Sequence, residues 1–505
     1  MTDNIRTNVI VNVIRTFVLT LLSFITFPWV CRYLGSAGVG TYTWANTFVA
    51  YFLILAKIGI PNLAVRECVK VRDDKVALSN KAQGFFLLQL IATVLSFGLL
   101  CAVVFSVKEL RETSSLIFIL SLNFLVGAFS FEWIFIALEK QFYMAVRSIV
   151  ALTISAILIV IFVTNPDDIL LYALIAIMVT VITTISNLYY VRRFISFKKT
   201  GPYNLKQYVR PLLVLCTLSL TLSLYNQTDT FILGFINSDK TEVANYSVGI
   251  KGIDIIIGII TALSVVFIPR AAHYYNVEDK QYFNRLNKYS INICLFVVLP
   301  AIVTMCVLAK PICGLISGTY DFTEGNGYWS APYILMILAS MMLTYSIGDI
   351  IYGQILLPMK KEKYYLLAIG VGTLLNIALS IILGAIVFKD RPAIGVAIGT
   401  ASTDLLIIIF LMAISWKWIK KAIFNSNSLK LLIANVVILG VSLLIYNPLM
   451  KLWGLMNLSI SVSFILQLVS VVLIDGIIYI VALFIMKEDL VCSFTKKKRE
   501  EINNA

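Results

Sequence analysis

The amino-acid sequence predicts an all-α, polytopic membrane protein with about 14 transmembrane helices. The chain is 59% hydrophobic, with a mean hydropathy of +0.90. Uncharged stretches of about 20 residues, the length that one helical crossing of a bilayer core needs, recur from Val9 to Ile485. Positive charge also alternates between successive loops. No connecting segment is long enough for a separate soluble domain, so the function must lie within the helix bundle.

The predicted spans follow one another with short connections. They lie near residues 8–30, 41–62, 82–106, 115–138, 144–163, 169–191, 211–236, 244–268, 289–308, 328–356, 364–388, 393–416, 431–447 and 458–486. Of the 41 Lys and Arg residues, 30 fall in one set of loops, Arg147 among them, 8 in the alternate set and 3 inside spans. The positive-inside rule therefore places both termini in the cytoplasm and requires an even number of spans. The net charge of +14 then reports this topology and a basic face toward anionic lipid headgroups, not nucleic-acid binding.

Composition and motifs argue against several kinds of chemistry. The eight cysteines show no CxxC pair and no metal-ligand spacing, and the chain has a single histidine, His273. A histidine-based metal or acid–base site is therefore not expected. Nothing in the sequence matches an ATP-binding loop. We expect no catalytic residues, no metal and no cofactor.

Four of the predicted spans carry polar residues at helical spacing, whereas most of the others are apolar all round. The stripes lie in spans 1, 2, 7 and 8. Their members are, in order of span, Asn8, Asn12, Arg15, Thr16, Ser23 and Thr26; Thr47, Tyr51, Lys57 and Pro61; Thr217, Thr221, Tyr225, Thr228 and Asp229; and Ser247, Lys251, Asp254, Gly258, Thr261 and Ser264. Charges survive at this depth where they face a water-filled cavity or pair with one another.

The recurrence of the stripes six spans apart suggests two similar halves. A weak echo between Val39–Tyr42 and Val243–Tyr246 supports this. An offset of six spans preserves orientation, so the predicted lobes are pseudo-symmetric about an axis along the membrane normal. We predict a six-helix lobe over residues 1–200, a second over 201–425, and helices 13 and 14 with a basic cytoplasmic tail over 426–505.

Each charge within a span has more than one interpretation. Arg15 has no acidic neighbour on its own helix, which favours a cavity role. Lys57 lines the cavity or snorkels toward the cytoplasmic surface. Lys251 binds a ligand or pairs with Asp254 three residues later. Asp229 accepts a coupling proton or Na⁺, or hydrogen-bonds the threonines around it.

Further carboxylates, among them Glu132 and Asp475, stand isolated in the sequence. We interpret these isolated carboxylates as buried hydrogen-bond acceptors. The cavity cations, by contrast, suit an anionic ligand. Arginine presents a planar fork that holds phosphate or pyrophosphate, and lysine adds a point charge. Hydroxyl and amide groups along the same stripes suit sugars. Together these side chains fit an amphiphile with a phosphate headgroup and a glycan.

Several short motifs occur in order along nearly the whole chain. They are strongest over residues 5–80 and comprise Phe27-Pro28 to Arg32-Tyr33-Leu34-Gly35; Gly38-Val39-Gly40-Thr41-Tyr42; Lys57-Ile58-Gly59-Ile60-Pro61; Arg66-Glu67 and Arg72-Asp73-Asp74; Asp229 with Leu233-Gly234; Pro269-Arg270; and Gly353 to Pro358. The chain thus resembles the polysaccharide-transporter branch of the multidrug/oligosaccharidyl-lipid/polysaccharide exporter superfamily.

This resemblance implies two six-helix lobes that form a V, with helices 1, 2, 7 and 8 lining a central cavity. Related lipid II flippases carry cavity cations on helices 1, 2 and 8, where this chain has Arg15, Lys57 and Lys251. Two of the three are lysines, and one stands beside Asp254, which departs from the family pattern.

The expected function is non-enzymatic. The resemblance implies a flippase that carries undecaprenyl-pyrophosphate-linked oligosaccharide repeat units across the bacterial cytoplasmic membrane for capsule, O-antigen or a related glycan. A polysaccharide polymerase and other surface-glycan assembly proteins are the expected partners, besides membrane lipids.

The alternatives are a multidrug antiporter of the same superfamily, which should carry net acidic cavity residues, and the lipid II flippase. A membrane-embedded glycosyltransferase or polymerase is a third class. It would need acidic catalytic residues in sizeable outside loops, and the outside segment 309–327 is short.

Overall fold

The computed structural model describes residues 5–199, 201–203, 205–456 and 459–492. Over these residues the chain folds into helices with short connections, without a strand. The α-helices are α1 (Ile5–Lys57), α2 (Ile60–Val69), α3 (Lys75–Ser106), α4 (Lys108–Glu112), α5 (Ser114–Gly127), α6 (Glu132–Ala137), α7 (Gln141–Phe162), α8 (Ile169–Val191), α9 (Lys206–Ile236), α10 (Thr241–Asn276), α11 (Lys280–Val307), α12 (Ala309–Ser317), α13 (Ala331–Leu338), α14 (Met341–Ile350), α15 (Glu362–Ile381), α16 (Pro392–Ile423), α17 (Ser426–Leu455) and α18 (Ile460–Ile485). Two π-helical segments, Ile351–Leu356 and Ile382–Val387, extend α14 and α15.

The predicted spans correspond to these helices. Eleven segments of the described chain are long and apolar enough to cross a bilayer. One of them, Ile14–Val69, is 56 residues long and contains predicted span 2 and most of predicted span 1. The shorter apolar helix α5, together with α6, covers the predicted span 115–138, and α10 covers 244–268. The structure therefore confirms an all-α, polytopic membrane protein with about 14 transmembrane helices.

Spans 1 and 2 are joined at a single residue, because no loop separates them. Helical backbone continues through α1 except at Gly35, which has φ 68° and ψ 177°. Glycine adopts this conformation without a Cβ clash, whereas other L-residues are strained there. A Cβ at this position would meet nothing within 4 Å. The glycine is therefore required by the backbone turn and not by crowding.

The segment that ends α1 contains a second break. Ile58 has φ 43° and Gly59 has φ 73° before α2 begins at Ile60. A left-handed conformation is rare for a β-branched residue. Gly59 also lies against α9, since a Cβ there would be 2.5 Å from Leu215 Cβ. The break therefore turns the chain sharply at a point of close contact between two helices.

By residue contacts the chain divides into two compact units, Met1–Ala244 and Asn245–Ala505. In the first unit, a buried core of apolar and aromatic side chains joins α2, α3, α6 and the beginnings of α7 and α9, with Ile60, Phe85, Phe135 and Met144 among its members. The lobe boundaries expected from the sequence, after residues 200 and 425, stay predictions.

Within the second unit, glycines bring α15 and α16 close together. A Cβ on Gly372 would lie 2.4 Å from Ile407 Cδ1, and one on Gly395 would lie 2.5 Å from the Leu383 carbonyl oxygen. Small residues at such contacts let helix backbones approach closely, as is common in membranes. The Asn376 side-chain amide also donates to Thr400 Oγ1 at 3.0 Å. These contacts hold the two helices together.

Candidate functional site

The predicted cavity residues on the first half of α1 lie in the first unit. Arg15 is half-buried, and its Nε is buried without a hydrogen-bond partner. Among the described residues no carboxylate forms a salt bridge with it. Ser23 is half-buried, and its carbonyl oxygen accepts from Thr26 Oγ1 at 3.2 Å. Asn8 and Asn12 lie outside the residues whose side chains the structure describes.

An uncompensated guanidinium within an apolar helix is unfavourable unless it finds an anion or water. The five N–H donors of arginine lie in a fixed plane that matches a phosphate or carboxylate. Arg15 therefore has the donor capacity that an anionic ligand would use. The geometry defines a candidate cation for a phosphate-bearing substrate.

The second half of α1 and α9 bring together residues from two different predicted stripes. Asp229 is 5% exposed, and the Tyr51 hydroxyl lies beside Thr228 and interacts electrostatically with Asp229. Thr228 Oγ1 donates to the Leu224 carbonyl oxygen of its own helix. Tyr51 is also edge-on to Phe231 at 5.6 Å between ring centroids. The stripes predicted for spans 2 and 7 thus meet at a buried carboxylate.

The remaining predicted residues of α9 present hydroxyl groups. Thr221 and Tyr225 are half-buried. Thr221 Oγ1 donates to the Thr217 carbonyl oxygen at 2.9 Å, and Thr217 Oγ1 donates to Leu213 in the same way at 2.9 Å. A threonine hydroxyl that donates to its own helix keeps two acceptor lone pairs. These positions can therefore accept hydrogen bonds from sugar hydroxyls.

Lys57 is the last residue of α1 and is exposed. Its position directly before the left-handed Ile58–Gly59 break places its long side chain at the end of a helix. Both interpretations from the sequence, a cavity cation and a snorkelling lysine, stay open at this position.

The predicted residues of α10 belong to the second unit. Lys251 is half-buried and Asp254 is exposed. The two side chains interact electrostatically along the helix. This interaction is the one expected if Lys251 is neutralised within its own helix, and a ligand role for Lys251 stays a prediction.

The structure reveals a buried cation in the short loop between predicted spans 7 and 8. Lys240, between α9 and α10, is 7% exposed, and its Nζ lies 4.3 Å from the centre of the Trp44 ring. The Nζ also donates to the Gly234 carbonyl oxygen. Burial lowers the pKa of Lys240, while the carboxylates of Glu109, Asp239 and Glu112 act to raise it. No periodic signal marks this lysine, since its partners are distant in sequence.

Two predictions about single charges are corrected in the first unit. Arg147, counted as a loop cation, is buried in α7, and its Nη2 forms a salt bridge with Glu132 Oε1 at 2.9 Å. The Arg147 guanidinium also donates to Asn187 Oδ1, which accepts from the Tyr143 hydroxyl at 3.1 Å. Glu132 is therefore not isolated, because the break at Phe131 starts α6 within reach of α7.

The carboxylates of the second unit have different neighbours. Asp475 accepts from Ser442 Oγ at 2.7 Å and from Thr304 Oγ1 at 3.2 Å, so it is the hydrogen-bond acceptor that we expected. Asp349 and Asp404 lie near the hydroxyls of Tyr345 and Tyr365. Over the described residues, no group of three or more His, Cys, Asp or Glu side chains could hold a metal ion.

Comparison with solved structures shows which fold the chain shares. The inward closed conformation of the lipid II flippase MurJ superposes with a TM-score of 0.72 at 18% identity, covering 95% of this chain and 99% of that one. An inward-facing multidrug resistance transporter of the MATE family and the MOP superfamily superposes with a TM-score of 0.56 at 16% identity, covering 80% of this chain and 96% of that one. At these identities the similarity establishes the fold, which is that of MOP-superfamily transporters.

The family follows from the sequence comparison. Residues 5–275 match the family model described as "Polysaccharide biosynthesis protein", and the chain belongs to this family. A relative from Escherichia coli (strain K12), named "Putative O-antigen transporter", is 23% identical over 395 residues, which are 77% of this chain and 91% of the relative. The relatives are transporters and flippases, which confirms the resemblance and the prediction that the chain is not an enzyme.

Proposed function

We propose that the chain is a flippase for undecaprenyl-pyrophosphate-linked oligosaccharide repeat units, and that it acts in surface polysaccharide biosynthesis. The observation that carries the proposal is Arg15, a half-buried guanidinium with an unpartnered Nε inside an apolar helix. Membership of the polysaccharide biosynthesis family and the O-antigen transporter among the relatives support the substrate class.

In the proposed mechanism, Arg15 holds the pyrophosphate through its planar fork, and Lys57 and Lys251 add positive charge. Hydroxyls such as those of Thr221 and Tyr225 accept hydrogen bonds from the glycan. The polyprenyl chain stays in the bilayer, since moving it into a polar cavity would expose apolar surface. Alternation between two conformations then exposes the headgroup on the other side of the membrane.

The proposed orientation follows from the charge bias of the loops. Both termini are cytoplasmic, and the protein resides in the bacterial cytoplasmic membrane. Partners in this setting are the polysaccharide polymerase and other surface-glycan assembly proteins. They would take up the repeat unit after it is flipped.

Two other functions share this fold. A lipid II flippase would use the same cationic residues on a peptidoglycan precursor. A multidrug antiporter would expel cations, and the buried Asp229 is the feature that favours it. The cationic Arg15 and Lys57 on α1 oppose cation binding, so we rank the antiporter below the flippase.

The test is lipid analysis of a deletion strain in which the early glycosyltransferase is attenuated to avoid toxicity. We expect lipid-linked repeat units to accumulate and surface glycan to be lost, with both reversed by a plasmid-borne gene. Arg15→Ala should fail to restore glycan at normal protein levels, whereas Arg192→Ala, an exposed arginine beyond α8, should restore it.

Three outcomes would contradict the proposal. Normal glycan with Arg15→Ala at wild-type protein levels would remove the cavity cation from the mechanism. Unchanged glycan in the deletion strain, together with altered sensitivity to cationic drugs, would favour the antiporter. Accumulation of lipid II, with normal surface glycan, would favour the peptidoglycan precursor flippase.

A further inference from the structure

A cavity of about 440 Å³ lies within the second unit and away from the residues discussed above. Its walls come from the end of α10, the first half of α11, the start of α17 and the segment after α18. Pockets of 300–1,000 Å³ are typical of small-molecule sites. The cavity is therefore large enough for a phosphate with its attached glycerol groups.

The charge on its walls is mainly positive. Arg270, Arg285 and Lys288 line it, and the carboxylate of Asp489 is its acidic component. Within the described parts of the chain, none of these three cations forms a salt bridge. Elsewhere such pairs do form, as between Arg72 and Glu139 at 2.8 Å. The cavity thus holds three cations without a salt-bridge partner around one space, of which Arg270 and Arg285 are exposed and Lys288 is half-buried.

The wall opposite the lysine and arginines is firmly held. The side chain of Asn427 is 3% exposed, and its amide donates to Glu488 Oε1 at 2.6 Å. Asn427 Oδ1 accepts from the backbone N–H of Asp489 at 3.2 Å. Glu488 itself is fully buried, and its other oxygen accepts from the Val491 N–H at 3.0 Å. These bonds fix the segment after α18 against α17, so the cavity is part of the folded structure.

Aromatic residues complete the cavity. Tyr274 and Tyr282 are stacked, with ring centroids 5.5 Å apart and planes at 17°. Tyr289, also in the wall, is 6.1 Å from Phe267. Tyrosines concentrate where apolar and polar regions of a bilayer meet. Basic pockets between helices at the cytoplasmic surface are suited to acidic lipid headgroups.

We propose that this cavity binds the phosphate of an anionic phospholipid headgroup from the cytoplasmic leaflet. Three predicted loops contribute residues to the cavity wall, and the predicted topology places all three in the cytoplasm. They are residues 269–288, residues 417–430 and the chain after residue 486. The cations contact the phosphate, the tyrosines lie at the level of the glycerol, and the acyl chains run along the membrane face. The site would hold α17 and the segment after α18 against α10 and α11.

The experiment compares lipid retention by the purified full-length protein. The variant Arg285→Gln/Lys288→Gln removes two of the cations, and Arg192→Gln/Lys199→Gln removes one arginine and one lysine from an exposed segment outside the cavity. Each protein is titrated with phosphatidylglycerol or phosphatidylcholine, and bound lipid is counted by native mass spectrometry. We expect wild type and the control to prefer phosphatidylglycerol, and the cavity variant to bind it at least tenfold more weakly, about the effect of losing two interfacial cations.

Equal retention of phosphatidylglycerol by the cavity variant and the control would overturn the proposal, as would equal binding of phosphatidylcholine. Two further titrations, with undecaprenyl pyrophosphate and with inorganic phosphate, distinguish a phospholipid from other phosphate-bearing ligands. If undecaprenyl pyrophosphate, and not phosphatidylglycerol, loses affinity in the cavity variant, the site holds the transported lipid. If inorganic phosphate alone binds and displaces the lipid, the site takes a soluble anion. A preserved thermal unfolding transition in the variant shows that any loss is not misfolding.

Discussion

Lys240 Nζ lies 4.3 Å from the centre of the Trp44 ring, so a buried cation and an aromatic face link the turn after α9 to α1. The contact is reinforced on both sides, because Trp44 Nε1 donates to the Phe231 carbonyl oxygen at 3.2 Å. Lys240 Nζ also donates to the carbonyl of Gly234 near the end of α9, where positive charge complements the helix dipole.

The first prediction concerns Gly234, which lies directly against the Trp44 ring. A Cβ there would be 2.0 Å from Trp44 Cδ1, too close for the indole to stay in place. Gly234→Ala should therefore destabilise the protein by about 1–3 kcal/mol, as overpacking does. The measurement is the thermal unfolding midpoint in detergent. Gly98→Ala, where a Cβ meets nothing within 4 Å, is the matched control. Equal midpoints for the two variants would mean that α1 and α9 are not packed as described.

The second prediction concerns the pH dependence that Lys240 introduces. Because burial lowers the pKa of Lys240 below the ordinary lysine value of 10.5, the folded protein releases this proton at lower pH than the unfolded chain. Just below pH 10.5 the unfolded state therefore binds more protons than the folded state. The contribution of Lys240 to the free energy of unfolding rises with pH in this window.

The measurement compares wild type with Lys240→Met, which keeps the length of the side chain without its charge. The free energy of unfolding of wild type relative to the variant should increase with pH over the range just below pH 10.5. A difference that is constant over this range, or one that falls with pH, would show that Lys240 is not desolvated as its 7% exposure indicates.

The third prediction concerns the Arg147 network. Removing one partner leaves the others buried without their hydrogen bonds, which is more costly than losing the pair. Because the Glu132 side chain is 43% exposed, water offsets part of that loss. Arg147→Ala should destabilise the protein by about 2–3 kcal/mol, while Arg192→Ala should have no measurable effect. A loss for Arg147→Ala as small as that of the control would contradict a structural role.

The fourth prediction concerns Asp229. Asn keeps the size and acceptor oxygen of the buried side chain but cannot carry a coupled ion. If the buried carboxylate acts only as a hydrogen-bond acceptor, Asp229→Asn should restore surface glycan to within about twofold of wild type. Asp229→Leu, which removes the acceptor, should restore much less. Complete loss with Asp229→Asn, and the same loss when the proton or Na⁺ gradient of wild type is dissipated, would instead identify an ion-coupling residue.

The spans and the class of protein were predictable from the sequence because both depend on local pattern. Apolar length and the alternation of positive loops indicate where helices cross the bilayer. The stripes also indicated Tyr51 and Asp229, which the structure places together. What the pattern cannot show is contact between distant segments. Lys240 and Arg147 were counted as loop charges, since a count of Lys and Arg does not separate exposed from buried ones.

The connection between spans 1 and 2 was also not predicted correctly from the sequence. Residues 31–40 were expected to connect two separate helices, but the chain stays helical on both sides of Gly35. The turn depends on one left-handed residue. The sequence pattern alone does not separate a one-residue turn from a short loop.

That turn has a mechanical consequence for the first unit. A flexible loop would let one span move without moving the next, whereas a turn of a single residue couples the two. Span 1 carries Arg15, and span 2 carries Trp44 and Tyr51, so the two helical segments of α1 are coupled at Gly35. A displacement of Arg15 is therefore transmitted, in a different direction, to Trp44 and Tyr51.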